Sequence, residues 1–339
     1  MLLNKMWFPY TKIEKSSKKK NVFCFHHAGG SGINFSKWNM LSDKVRFIPA
    51  EMPGRGARIC DKYDHCFKKV VYEITEAVKK EVDTLEIDDF VFYGHSMGAI
   101  IAFSVACCIK KKYKISPKVL FVVARHAPQM PDPSVFKSTM SDESLIDEMK
   151  RLGGTPDEIL NNREYMNMFI NRIRNDYKLH EDYNYGNEKL DIPIIAHTGD
   201  NDYGADVFSM TKWFQLTSKG AAVEEFKGGH FFPYELGEKY VRHLKFLFSD
   251  MVYIFENINT VTNDLLKKFD SLYTEERKIK SGKYCREDDK KKSLIAYILL
   301  LYALKKEYGI FEKLYFDYGK NNKPFLKKHK YIFQYISFR

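Results

Sequence analysis

The sequence predicts an α/β fold, a mostly parallel sheet interleaved with helices, followed by a small partial α+β domain. Two observations carry that expectation. From Asn21 to about Phe248, short runs rich in β-branched and aromatic residues alternate with longer stretches of helical spacing. Within that alternation, Gly94-His95-Ser96-Met97-Gly98 sits between a strand-like run and a helix-like one. Near Asp250 the rhythm breaks and restarts, so a boundary is placed there, dividing the chain into residues 1–250 and 251–339.

The candidate strands are Val22 to Phe25, Val45 to Pro49, Phe90 to Tyr93, Val119 to Val123, Ile192 to His197 and Ala222 to Phe226. Most are β-branched or aromatic and end at Gly, Pro or a small residue, as buried central strands do. Met97 to Lys112 is the clearest helix, because small and apolar residues dominate it until a closing lysine run. Residues 128–185 interrupt the alternation. A Pro-rich loop there is followed by Ser141-Asp142-Glu143-Ser144, which opens a helix, and by a second helical segment around Tyr165 to Tyr177. This stretch reads as a helical lid inserted over the sheet. Beyond Asp250 come a strand-like Val252-Tyr253-Ile254-Phe255, a strongly charged helix, and Leu294 to Leu304, read as a buried helix.

With 44% apolar and 29% charged residues, the 339-residue chain falls among globular proteins and outside the disordered class. Its net charge of +11 is concentrated in runs such as Lys18-Lys19-Lys20, Lys110-Lys111-Lys112 and Lys290-Lys291-Lys292, which read as solvated faces. No zinc-finger spacing, aromatic strand signature or recognition helix accompanies them, so no nucleic-acid role is expected. The six cysteines form neither a C-x-x-C pair nor a regular framework, which fits reduced thiols and a cytoplasmic setting. Lys5, Pro9, Lys12 and Glu14 interrupt the N-terminus, which lacks the apolar stretch of a secretory signal. The Leu294 to Leu304 run is too short to span a bilayer, so no membrane association is expected.

G-x-S-x-G is a weak pattern by itself and a strong one when a strand precedes it and a helix follows. Here both conditions hold, so the sheet is expected to take the α/β-hydrolase form with Ser96 as nucleophile. Glycine at both flanks removes side chains that would strike the neighbouring elements of so sharp a turn. The Met97 N–H, at the start of the helix, lacks an intrahelical partner and can donate to an oxyanion at Ser96. A second donor is expected from His27-Ala28-Gly29-Gly30-Ser31-Gly32, directly after the first strand, and is assigned to the Ala28 amide. Phosphate binding or a plain flexible loop are the other readings of that turn, although it lacks the lysine of a P-loop.

A serine hydroxyl needs an imidazole within reach and a carboxylate behind the imidazole. In this fold the chain order is Ser, acid, His. His230, in Gly228-Gly229-His230-Phe231-Phe232 after the last strong strand, is the best placed of ten histidines. The acid falls in Thr198-Gly199-Asp200-Asn201-Asp202, where Asp202 is preferred and Asp200 stays open as the alternative. Asp200 would otherwise bond amides of its own loop. His26, His27, His95 and His126 do not pair at metal-binding spacing, so no metal and no cofactor are expected.

These residues resemble type II thioesterases, the free-standing editing enzymes of nonribosomal peptide and polyketide synthesis. The resemblance rests on Phe25-His26-His27-Ala28-Gly29-Gly30-Ser31, Met52-Pro53-Gly54-Arg55-Gly56-Ala57-Arg58, the elbow, Leu152-Gly153-Gly154-Thr155-Pro156 and Gly228-Gly229-His230-Phe231. It implies a Ser96, Asp202, His230 triad with Met97 and Ala28 as oxyanion donors. The implied substrate is an acyl or aminoacyl group on the phosphopantetheine thiol of an acyl or peptidyl carrier protein, and the enzyme is expected to act as a monomer. The same triad on free esters or lipids is the alternative activity.

Residues 251–339 resemble the N-terminal half of a surfactin-type 4′-phosphopantetheinyl transferase, through Glu275-Glu276-Arg277, Glu287-Asp288-Asp289 with Lys292-Ser293-Leu294, and Phe316 to Leu326. That resemblance places Lys292 and Lys323 against coenzyme A phosphates. The carboxylates that hold magnesium in that family lie beyond the matching stretch, so this half is expected to be a truncated, non-catalytic fusion. A binding-only chain whose tail spoils or blocks the site is the corresponding third reading.

Overall fold

Six strands form the main sheet; burial on both faces makes the inner ones near-continuous apolar runs, while the edge run Ala221–Phe226 is only partly buried and carries Glu224 and Glu225. In the computed structural model the six are β1 (Lys20–Phe25), β2 (Val45–Pro49), β3 (Phe90–His95), β4 (Leu120–Val123), β5 (Ile194–Gly199) and β6 (Ala221–Phe226). The structure describes residues 3–11, 19–41, 44–131, 138–153, 162–247, 261–308, 313–318 and 324–326. The chain divides into two compact units, 1–241 and 242–339.

In the first unit every neighbouring strand pair is parallel, in the order β2-β1-β3-β4-β5-β6. Phe25 lies opposite Gly94, His95 opposite Val123, and Gly199 opposite Phe226, so the carboxyl ends of these strands share one edge of the sheet. The chain leaves β1 for β2 on one side and returns to β3 on the other. The ends of β1 and β3 therefore flank a topological switch point, where α/β sheets place their ligands.

The strand boundaries differ from expectation by a residue or two, most clearly at β5, which starts at Ile194 rather than Ile192. Pro193 has no N–H to give the ladder, and the Ile192 carbonyl accepts from Thr217 Oγ1 at 2.5 Å instead. Helix α1 (Phe67–Thr84) is amphipathic, burying Phe67, Val70, Val71, Ile74, Ala77 and Val78. Its first N–H is capped by Asp182 Oδ2 at 2.8 Å. Helix α2 (Met97–Tyr113) is apolar nearly all round until Lys110, Lys111 and Lys112, the lysines favouring the negative end of the helix dipole.

Among the described residues, two helices stand between β4 and β5, where the lid was expected: α3 (Asp142–Leu152) and α4 (Arg163–Glu181). Each opens on an expected type of cap, Ser141 accepting from the Ser144 N–H and Asn162 from those of Glu164 and Tyr165. Leu145, Met149, Met166, Ile170 and Ile173 form a lid cluster of their own, whereas Leu179, near the end of α4, belongs to the main core. Gly154-Thr155-Pro156 lies outside the described residues.

The second unit contains α5 (Glu275–Gly282), α6 (Glu287–Tyr308) and an antiparallel pair, β7 (Phe316–Tyr318) and β8 (Pro324–Leu326). The Leu294 to Leu304 run is helical as expected but only one face is buried. Ile295, Tyr297 and Leu300 pack inward, while Tyr302 is exposed. The run is apolar enough to look fully buried, and the small clusters around Tyr273, Leu314, Val261 and Leu266 cover only that face. Val252 to Phe255 and Lys323 lie outside the described residues, and Lys292 is exposed. Among the described residues no helix is long and apolar enough to cross a membrane.

Candidate active site

Ser96 joins β3 to α2 with φ 55° and ψ −118°, a conformation that side-chain-bearing residues rarely adopt. The strain is held from both sides. A Cβ on Gly94 would strike the backbone of Gly98 and Ala99, and one on Gly98 would strike the carbonyl of Phe25 at the end of β1. The Ser96 N–H donates to Val123 O at 2.8 Å, tying the turn to β4. The Met97 N–H is the first of α2 and so has no carbonyl to meet within the helix.

The turn after β1 is held by two buried carboxylates. Glu51 accepts from Ser31 Oγ at 2.7 Å and from the Gly32 N–H at 3.2 Å. Asp176 of α4 accepts from the Gly29 N–H at 2.7 Å and forms a bidentate pair with Arg55, at 2.7 and 2.5 Å. Arg55 is fully buried and also donates to Gly30 O at 3.0 Å. Gly29 has φ 75°, and a Cβ there would lie 2.7 Å from Ile173 Cγ1, so both conformation and space call for glycine.

His230 Nδ1–H donates to Asp202 Oδ2 at 2.9 Å, which leaves Nε2 as the ring nitrogen to act as a base. The other oxygen of the buried Asp202 carboxylate accepts from the Gly204 N–H at 3.1 Å. Asp200 does not reach the imidazole. It accepts from Lys227 Nζ at 2.5 Å and from the Gly228 N–H at 3.0 Å, holding the turn that presents His230. These bonds, Lys227 foremost, keep its carboxyl below the usual range. His95 Nε2–H donates to the His230 carbonyl at 2.9 Å and fixes the backbone from beneath.

The neighbouring imidazoles are neutral at neutral pH. Burial lowers the pKa of His26 to about 3 and that of His27 to about 4, and burial beside His27 and His230 holds His95 well below its ordinary value. His27 Nδ1–H donates to Ala28 O at 2.9 Å, and His26 Nδ1–H to His27 O at 2.8 Å. These side chains support the β1 turn through single hydrogen bonds without adding charge to the site.

One cavity of about 530 Å³ is lined by Ser96, Met97, Ala28, Asp202 and His230 together. Asp200, the alternative acid, does not line it. Arg125, His126, Arg151, His180 and Glu181 make its far wall polar. A smaller cavity of about 90 Å³ shares Ser96, His230 and Ala28 and is walled by Leu145, Met149, Phe169 and Ile173 under the lid. A strained serine and an imidazole backed by a buried carboxylate around one cavity suit acyl transfer to Ser96.

Comparison with known proteins agrees. The thioesterase domain family matches residues 20–248. Gramicidin S biosynthesis protein GrsT of Aneurinibacillus migulanus is 34% identical over 231 residues, covering 68% of this chain and 88% of that protein. The chain belongs to the thioesterase family. It is a thioester hydrolase on the α/β-hydrolase fold. Thioesterase PikA5 of Streptomyces venezuelae is 30% identical over 214 residues, covering 62% of this thioesterase and 74% of its own length. The crystal structure of ClbQ from the colibactin NRPS/PKS pathway superposes with a TM-score of 0.61 at 28% identity, covering 67% of this chain and 95% of that one.

Sequence reasoning singled out Pro53-Gly54-Arg55 in this thioesterase without a role for Arg55, and it missed Asp176 altogether. The available signal was a lone carboxylate on the stripe of α4 that carries Met166, Ile170 and Ile173.

Proposed function

We propose that this thioesterase is a free-standing editing enzyme that releases acyl or aminoacyl groups from the phosphopantetheine arm of carrier proteins. The observation that supports it best is the single cavity shared by Ser96, His230, Asp202, Met97 and Ala28. Ser96 Oγ attacks the thioester carbonyl while His230 Nε2 takes its proton. The Met97 and Ala28 amides receive the oxyanion, and Asp202 steadies the imidazolium. The thiolate leaves with the proton from His230, and water, activated by the same imidazole, hydrolyses the acyl-enzyme. These steps use only side chains, backbone amides and water.

The names of GrsT and ClbQ point to assembly-line biosynthesis, and the six free cysteines suit a reducing cytoplasm. Two cavities meeting at Ser96 suit a substrate with two arms, the acyl group on one side of the thioester and the pantetheine on the other. Residues 251–339 keep their resemblance to half of a transferase in our reading and have no step in this reaction. The thioesterase acts as a monomer.

Acyl release from a loaded carrier protein tests the proposal. Ser96→Ala is expected to lower kcat by about 10⁴-fold or more. A variant as fast as the wild type would remove Ser96 from the mechanism. Small esters assayed beside carrier-bound thioesters separate this activity from a general esterase.

A further inference from the structure

Both peptide planes flanking Ala28 are pinned, one by local bonds alone and the other by a local bond and one from α4. On one side, the His27 carbonyl accepts from His26 Nδ1 at 2.8 Å and from the Gly30 N–H at 3.0 Å. In a trans peptide the N–H points opposite to the C=O, so this anchor sets where the Ala28 N–H aims. On the other side, the Ala28 carbonyl accepts from His27 Nδ1, and the Gly29 N–H of the same plane donates to Asp176 Oδ2 at 2.7 Å. Only the Asp176 bond comes from the lid.

We infer that Asp176 is a positioning residue for the oxyanion hole, holding the Ala28 N–H on target through Gly29 and making that geometry depend on the seating of α4. Arg55 completes the device. Its bidentate contact orients the carboxylate, and its bond to Gly30 O at 3.0 Å fixes the next turn of backbone against the same group. Arg172, one turn before Asp176, reaches Gly29 O at 3.5 Å, and Ile173 packs against Gly29 itself. The helix that roofs the small cavity through Phe169 and Ile173 thus also aims a donor at the reacting carbonyl. An unseated α4 leaves Ser96 and His230 in place but the oxyanion hole incomplete.

This inference rests on the site reading above, and its test distinguishes the two. The full chain is assayed on acetyl-N-acetylcysteamine, a small thioester, as wild type, Ser96→Ala, Arg55→Met/Asp176→Leu and Arg55→Met/Asp176→Asn. Replacing a buried ion pair by apolar side chains of similar volume is commonly tolerated by a fold. The Leu version removes the acceptor for Gly29 and the Asn version keeps it.

The expected result is a loss in kcat of about 10- to 100-fold for the Leu version, with KM within about threefold of wild type. A boronic acid that forms a tetrahedral adduct on Ser96 should lose affinity in step. The Asn version should recover most of both. Equal kcat in the two double variants, or a change confined to KM, overturns the role of Asp176 while leaving Ser96 untouched. Full activity in Ser96→Ala instead overturns the site. Should the double variants not fold, hydrogen exchange on the wild type decides: the Gly29 amide is expected to be as protected as the amides of α4, and exchange at an open-loop rate overturns the inference.

Discussion

On the sheet side of the catalytic cavity, Ser96 sits on a turn held by backbone, with glycines at 94 and 98 packed against neighbouring backbone and the Ser96 N–H on Val123 O, and the turn of His230 adds the Asp200 carboxylate and the His95 imidazole to backbone packing at Gly199. On the lid side, α3 and α4 depend on side chains. Their own cluster of Leu145, Met149, Met166, Ile170 and Ile173 is separate from the main core, and Arg174 ties α4 to the carbonyls of Ser138 and Met140 and to Asp142 at 2.5 Å. Backbone packing tolerates almost no change of position, whereas a small side-chain cluster can be rebuilt for a different acyl group with the chemistry left intact. The lid thus combines two parts, an apolar cluster open to such rebuilding and, on the same α4, the Asp176 contact to the turn after β1, which is not.

The largest effect that sharpens this contrast is expected at the two aspartates of the β5 loop. Asp202→Asn keeps the shape but gives His230 the wrong tautomer, so kcat should fall by about 10⁴-fold. Asp200→Asn loses the exposed Lys227 partner and keeps an oxygen for the Gly228 N–H, so a loss below about tenfold is expected. Comparable losses in the two variants, measured as kcat for thioester release, would contradict the division of labour between them.

Stability separates the two walls next. Gly98→Ala forces a methyl into the Phe25 carbonyl and is expected to cost about 3 kcal/mol or more. Ile170→Ala opens a void in the lid cluster, which can loosen locally before the sheet unfolds, so the global transition should move by less than about 1 kcal/mol while KM rises several-fold. Trp7, Trp38 and Trp213 are all buried in the first unit, so their fluorescence in urea reports on that unit. A larger shift for Ile170→Ala than for Gly98→Ala would erase the distinction.

The backbone wall was also the legible one. Val22 to Phe25 or Val119 to Val123 announces a buried strand because both its faces must be apolar, and Gly94 to Gly98 encodes a turn whose sterics admit few residues. His230 followed from the Gly-Gly turn and chain order. Asp202 was preferred and Asp200 stayed open, since both follow Gly199 closely and the choice depends on which way the loop closes. Asp176 was out of reach for another reason. Its partners Gly29 and Arg55 are 147 and 121 residues away, and only the docking of α4 brings them together. The one-sided burial of Leu294 to Leu304 was likewise hidden, because apolar composition reports what can be buried and not how much is covered.

The last effect concerns the support beneath the backbone wall and is a change of slope with pH. His26 is buried next to the β1 turn, with Nδ1–H on the His27 carbonyl and Nε2 3.9 Å from Glu51. Desolvation and the nearby Arg55 lower its pKa from 6.5 to about 3, outweighing the opposing pull of Asp176. Between those values the unfolded chain binds a proton at residue 26 that the native one does not, so stability rises with pH across the window. It is complete above about pH 6.5 and declines as the pH falls toward 3, by up to about 1.4 kcal/mol per pH unit. His26→Asn preserves a donor for the His27 carbonyl but cannot titrate. Its unfolding free energy, followed by tryptophan fluorescence between pH 6 and 4, should therefore vary with a slope smaller by about one proton than that of the wild type. Because His27 and His95 titrate in both proteins, the difference belongs to residue 26. Parallel slopes would mean that His26 is protonated in the native state, and the backbone wall would then rest on an ion pair with Glu51, a side-chain contact of the kind that holds the lid.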